Sequence, residues 1–480
     1  MKKFMKILGI TGIAFCLCGF AMAGVGYAFG GGNYMRAENL TDIKNIFFPG
    51  AGKIFGDRAG SDIKTDTWNG RAGNPMEGEG KEAASVDSDS IKTWKEDDIR
   101  LNSVSSITAN LDYIDLKIVA SDNNDFMMSY ELHCMNRKNP LSYHLEDGAL
   151  KLTETDFKAP SWKGWFLDTE SFTNKYYSCI TLYVPLDTVL ESCVLDMADG
   201  DLTVKELHCN MLEIEADGGD MNIGESFCKK AVLKAVYGNL LFSGTSVSGD
   251  LLLDTEDGDI SASGLEVKGD IQLDTADGDI SASGLEVKGN IQLDTADGDI
   301  SVSDVKVKGD IQLDTADGDV SFSEIKVSKG MKINAADGDI GISGLTASGA
   351  VEIALCDGDL SVTDFTESGG AYFQTEYGDV SASSLTVTGK LQIDTEGGDV
   401  LFSGLGVSGM ADINSECGDI SIQMQKKFLS NLKITMETED GELSAACLLG
   451  GDKRKGRFEK EGPADCYLKG YTEGGDISIQ

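Results

Sequence analysis

From about Cys193 to Ile420 the chain repeats a unit of about twenty residues, and the clearest copies, Ile271 to Asn290 and the one that follows it to Asp310, are nearly identical. Such a period is the signature of a solenoid, because one unit carries too little apolar surface to fold alone and must share a continuous core with its neighbours. Within a unit Ile271, Leu273 and Thr275 fall on one face and Gln272 and Asp274 on the other, the period-two pattern of a half-buried strand. After a turn at Asp277-Gly278-Asp279, Ile280 and Ala282 point inward, and Leu285 and Val287 regain that phase only if Ser283-Gly284 makes a corner. Another sharp corner is expected at Lys288-Gly289. The turn glycine recurs from Gly200 to Gly418, with outliers at Gly441 and Gly475. That predicts about fourteen coils and, at ~4.8 Å per stacked strand, a rod roughly 65 Å long.

The expected fold is therefore all-β: a parallel β-solenoid (β-helix) with about 20 residues per coil, preceded by one transmembrane helix. Residues 1–30 read as a transmembrane anchor or signal segment, 31–100 as a flexible spacer, 101–190 as irregular β-rich opening coils and cap, 191–425 as the regular solenoid, and 426–480 as closing coils and cap. Lys2, Lys3 and Lys6 precede an uncharged apolar run from Ile7 to about Phe29, long enough to span a bilayer with the lysines inside and the solenoid outside. Ala21-Met22-Ala23 also fits a cleavage site, in which case the protein is secreted. The spacer is poor in periodicity and rich in Gly, Ser, Asp and Glu. The basic run Lys453-Arg-Lys-Gly-Arg457 reads as a solvated loop, or as a wall- or lipid-binding site.

With 58 glycines, 6 prolines and a formal charge of −39, this is a turn-rich, strongly acidic chain. Nucleic acid is excluded as a partner, since phosphate binding needs a basic stripe. Nine cysteines lie outside the apolar run, an odd number without a Cys-x-x-Cys, so neither a disulfide framework nor a zinc site is expected. Cys193 and Cys209, in adjacent coils, could pair.

Three acidic rows recur down the repeats: Asp254, Asp274, Asp294 and Asp314; Asp257, Asp277, Asp297 and Asp317; and Asp259, Asp279, Asp299 and Asp319. Like charges stacked ~4.8 Å apart repel by about 1 kcal/mol in water and more in a lower dielectric, so something must offset them. Turn amides donating to each corner carboxylate are one solution; calcium bound between coils by these aspartates is the other. No other cofactor is implied. Only three histidines occur, His133, His144 and His208, none of them in the most regular coils, and no Gly-x-Ser-x-Gly, Walker-type loop or His-Glu-x-x-His is found. The chain is read as non-enzymatic. A polysaccharide-active enzyme stays open as an alternative, although its carboxylate pair would have to be singular and these acids repeat monotonously. Phe157 to Tyr177 gathers Trp162, Trp165 and Phe166 among other aromatics, as a cap over the end of the solenoid or an exposed platform for a sugar or protein.

The lysine-led apolar start, the strand Ile180 to Pro185 and the recurring Gly-Asp-Ile/Val-Ser units resemble the bacterial putative-adhesin family of membrane-anchored β-solenoid domains, over roughly Ser103 to Gln480. That resemblance implies a cell-surface role and no catalytic residues. The expectation is a single-pass cell-membrane protein displaying an acidic repeat face to a surface glycan or protein, as a monomer or by lateral self-association, with a calcium-stabilised stalk as the alternative.

Overall fold

The computed structural model describes residues 91–159, 176–429, 432–445, 453–462 and 466–480. The apolar start, Trp162, Trp165 and Phe166 lie outside the described residues. Among those described, no helix is long and apolar enough to cross a membrane.

The described chain is an all-β parallel solenoid of about twelve in-order turns, each about twenty residues long. A typical coil has a long first strand, Ile271–Asp277, a second, Ile280–Ser283, and a third, Glu286–Val287. Each pairs in register with its counterpart one unit on, so Leu273 sits beside Leu293 and Val287 beside Val307. The alternation that marks these strands in the sequence is their burial pattern: Ile271, Leu273, Thr275, Ile280, Ala282, Leu285 and Val287 are all buried. Each fully buried Leu, Ile or Val contributes roughly 1.5–3 kcal/mol before chain entropy is subtracted. The phase slip is resolved as expected by Gly284, at φ +62°. In six coils Glu206, Glu225, Asp304, Glu324, Asp364 or Ser384 adopts the same left-handed conformation.

Core positions form columns along the axis, and size is traded within and between them. One column runs Ala282, Val302, Phe322 and Ile342. Another runs Val327, Ala347, Glu367 and Val387. Glu367 is 1% exposed and neither of its carboxyl oxygens makes a hydrogen bond. The smaller Ala347 beneath it leaves room for the longer side chain. Burial pushes the Glu367 carboxyl up to about 7, against a weaker pull from the nearby Gly369 amide.

The first corner imposes the strictest rule on sequence. A Cβ built on Gly298 would lie 2.1 Å from the carbonyl oxygen of Gly278 one coil below, and one on Gly258 would lie 2.3 Å from that of Gly238. Backbone stacks directly on backbone there, and only glycine fits.

Both ends depart from chain order. Seven strands open the fold: β1 (Lys92–Leu101), β2 (Ser106–Leu111), β3 (Asp115–Ser121), β4 (Phe126–Cys134), β5 (Leu141–Glu146), β6 (Ala149–Glu154) and β7 (Cys179–Pro185). β2 and β3 stack in parallel on Leu190–Met197 and Leu202–Lys205 as a first coil. β6 and β7 lie beyond them, and β5 and β4 close the edge antiparallel, with β1 on β4. The range expected as spacer thus ends in strand: β1 carries only occasional apolar residues because it is covered on one side alone. At the far end Tyr467–Thr472 inserts between Met410–Ser415 and Lys433–Ala445, so Gly475 stacks on Gly418 and Gly441 on Gly475. Two of the fourteen expected corners are therefore stacked out of chain order. The basic run is not a loop: Lys453–Lys460 is a strand antiparallel to Lys433–Ala445, with Arg457 paired to Glu437 and Glu459. At both ends an antiparallel strand takes the place of the parallel edge on which a further coil would stack.

Cys193 and Cys209 do not pair. Register sets Cys193 beside Leu212 and Cys209 between Leu190 and Cys228, and all three are free, buried thiols. Burial pushes Cys193 and Cys228 up to about 12.

Two consequences are measurable. Gly298→Ala should destabilise the fold by about 3 kcal/mol, read as a lower denaturation midpoint, because neither coil can retreat without breaking its register. Glu367→Val should stabilise it, with a pH dependence set by the raised carboxyl. The folded state holds this proton more tightly than the unfolded chain, whose ordinary value is 4.5. The penalty in the parent is therefore absent below about pH 4.5, grows as pH rises, and is complete above about pH 7, at about 3 kcal/mol. In urea melts the advantage of the variant over the parent should be smallest near pH 4 and grow by that amount by pH 8.

Candidate functional site

The corner carboxylates answer the question of charge repulsion with backbone. Asp259 Oδ1 accepts the amide N–H of Asp279 at 3.0 Å, Asp279 that of Asp299 at 2.9 Å, and Asp299 that of Asp319 at 3.0 Å. The ladder continues upward through Asp339, Asp359, Asp379, Asp399, Asp419 and Asp476 to the amide of Glu442. Downward it passes through Asn239, Asp220 and Asp201 to Asp115. Each rung is a charge-assisted bond where the acceptor is Asp, and it ties one coil to the next across the corner. A shorter ladder of the same kind uses Asp250, Asp270, Asn290 and Asp310. Asn239 and this second ladder went unnoticed in the sequence, although their twenty-residue spacing was there to find.

Beside the corner, the outer face of the long strands carries the other two acidic rows. Asp254, Asp274, Asp294 and Asp314 are half-buried register neighbours, while Asp257, Asp277, Asp297 and Asp317 stand fully exposed at the tip of the turn. Gln272, Gln292 and Gln312 donate to Oδ2 of the aspartate two residues on, at 2.5, 2.7 and 2.8 Å. Burial pushes the Asp274 carboxyl up to about 6, with Asp294 and Asp254 adding repulsion and the Gln272 amide opposing it. Each row brings its own members together, but among the described residues no group of three or more His, Cys, Asp or Glu is placed to hold a metal ion.

Along this face runs a groove of about 840 Å³. The half-buried aspartates form one side; Ala276, Ala296, Ala316 and Ala336 form the other, with Thr275, Thr295 and Thr315 between. Alanine on four successive coils keeps the groove open; the same position is Glu256 on the coil before them and Cys356, then Glu376, on the coils after. It continues into a cavity of about 300 Å³ that shares Asp254 and Glu256, and at the other end into one of about 360 Å³ that shares Gln374. In the row of turn tips, Tyr237 and Tyr377 stand where the intervening coils place aspartate, and they are 68% and 69% exposed. Sequence reading passed over both tyrosines; aligning the repeats would have isolated them.

No histidine lines the groove. His133 lies in the opening cap, in a separate 440 Å³ cavity with Glu131, Tyr177 and Cys179. Of the aromatic cluster read from the sequence, Phe157 stacks on Tyr113 at 6.2 Å, Tyr176 meets His133 edge-on, and Lys117 sits 5.1 Å over the Tyr177 ring.

Among solved structures the chain is similar to a putative adhesin from Parabacteroides distasonis, at 12% identity over 67% of this chain and 95% of that one, with a TM-score of 0.23. A putative cell adhesion protein from Clostridium sporogenes matches at 9% identity over 81% and 98%, with a TM-score of 0.14. A putative adhesin from Bacteroides fragilis matches at 14% over 67% and 97%, with a TM-score of 0.13. Comparison with curated proteins found no match. The profile of one family matches residues 104–306, 270–386 and 304–480, reaching from the opening strands through every coil to the last, and on that match the chain belongs to the Toastrack DUF4097 family.

Proposed function

We propose that this protein is a non-enzymatic bacterial cell-surface solenoid, tethered through its apolar N-terminal run, that presents its acidic grooved face for adhesion or envelope interaction. The observation that carries the reading is the groove itself. Its carboxylates recur on four successive coils from Asp254 to Asp314, three of them held alike by a glutamine two residues back, so no position among these is singled out for acid, base or nucleophile, whereas a surface meets similar chemistry along the face. The length of the face also favours many weak contacts over one strong one, which is how a surface protein gains avidity.

Beads coated with the full-length chain should be retained on isolated bacterial cell walls far better than uncoated beads. Retention should fall by more than half when ionic strength is raised from about 0.05 to about 0.5 M, since exposed charges are then screened within a few ångströms. Equal retention of coated and bare beads would remove the adhesive reading. Because each corner carboxylate already holds an amide, the melting temperature should move by less than about 2 °C between calcium and chelator; a rise of about 5 °C or more in calcium would place ions between the coils.

A further inference from the structure

The closing end of the solenoid is assembled out of chain order. Tyr467–Thr472 and Ile477–Ile479 lie between two stretches that precede them in sequence: Met410–Ser415 with Ile420–Met424 on one side, Lys433–Ala445 on the other. Residues 467–480 thus form a whole tier wedged between an inner and an outer one.

Nothing in the flanking tiers requires that wedge. Tyr467 faces both Met410 and Lys433, so the outer tier already has the phase of the inner one. Closed directly on it, Ile434 would stand over Ala411, Met436 over Ile413, Leu443 over Ile420 and Gly441 over Gly418, apolar on apolar and corner glycine on corner glycine. The side-chain bonds transfer as well. Asp419 Oδ1 accepts the amide of Asp476, and Asp476 Oδ1 that of Glu442, so without the wedge Asp419 would meet Glu442 directly. Thr472 donates to the Gly418 carbonyl and Thr438 to that of Gly475; in the shut arrangement Thr438 would take the place of Thr472. The slot therefore has two closed packings, one filled and one shut, that use the same contacts.

The wedge is also lightly held. It buries three large apolar side chains, Leu468, Ile477 and Ile479, where a regular coil buries five, Ile271, Leu273, Ile280, Leu285 and Val287. Local opening is easiest where apolar contacts are fewest, so this tier opens before the coils beneath it. Its remaining hold is an ion pair from Lys469 to Asp412, a bond from the Tyr471 hydroxyl to Glu439, and backbone ladders.

We infer that residues 467–480 exchange between copies of this chain, each copy lodging its wedge in the other's slot to give a dimer joined at the closing ends. A second copy is the one partner certain to fit, because it remakes every one of these bonds with an identical surface. Monomer and dimer then differ little in contacts, and concentration sets the balance between them. The inference rests on the closing end alone and is independent of what the acidic face meets.

The test uses the full-length chain. Held for days at about 37 °C, it should sediment as monomer and dimer, with the dimer share rising at least about fivefold between ~10 and ~300 µM. Chains carrying Ser421→Cys are then mixed with tagged chains carrying Ser478→Cys, since these two hydroxyls lie 3.0 Å apart across the boundary of the wedge. A short bis-maleimide should join position 421 of one chain to position 478 of the other in the dimer, as read by mass spectrometry of the digest. In the monomer of the double variant the same link should form within one chain. A parent that stays monomeric across that range would overturn the inference. So would a dimer from the mixed chains that lacks the link between positions 421 and 478, since the copies would then be meeting elsewhere.

Discussion

Everything in this fold depends on one coil lying on the next at a fixed height and without lateral slip. The glycine corner enforces both. Where the place of a Cβ on Gly298 is only 2.1 Å from the carbonyl oxygen below, the coils are as close as backbone allows. The aspartate that follows each corner glycine then spends its charge on the amide of the next coil. The same residue pair thus sets the height of the stack and neutralises most of the cost of putting like charges in a column. Sheet bonds alone would permit a slip by two residues that keeps the inward pattern; a slip of any size would drive a side chain into the glycine contact.

Given that constraint, the core is free to vary. Positions above and below one another share a column, so Ala282 gives way to Val302 and Phe322 within three coils, with Ile280 reduced to Val320 on the coil that takes the phenylalanine. In two other columns, those of Leu345 and Ile353, Phe365 and Phe373 meet edge-on at 6.1 Å. Glu367 shows the limit of that tolerance. It occupies a valine column just where Ala347 leaves space, and its carboxyl is accommodated by volume, with only the weak pull of the nearby Gly369 amide to favour its charge.

The regular middle was legible because its burial pattern is its sequence pattern: Ile271, Leu273 and Thr275 alternate, and Gly284 marks the slip in phase. The ends were not, for a physical reason. Whether Tyr467–Thr472 stacks before or after Lys433–Ala445 is decided by which edge is free when each segment arrives, and periodicity carries no information on that order. β1 escaped notice because a strand covered on one side by a single neighbour needs few apolar residues. In the face, the aspartate rows were plain, but the groove was not. It is made by what is missing, the side-chain bulk at Ala276, Ala296, Ala316 and Ala336, and small residues leave no chemical signature in a linear reading.

That origin bears on how such a face is built. The near-identical units from Leu251 to Val320 each add one coil, one groove carboxylate and, from Ala276 onward, one alanine, without disturbing a core contact that the unit before did not already make. A groove assembled from singular residues would have to be rebuilt each time the fold lengthened. Here the length of the binding face and the length of the solenoid are the same quantity, about 4.8 Å per duplication, so affinity for a repeating partner can grow by copying alone. The tyrosines at positions 237 and 377 and the glutamates at 256 and 376 mark where that run begins and ends. Between them the rows end at different coils: the carboxylates give way to Asn334, Ala354 and Gln374 after Asp314, the alanines to Cys356 after Ala336, and the tip aspartates only at Tyr377.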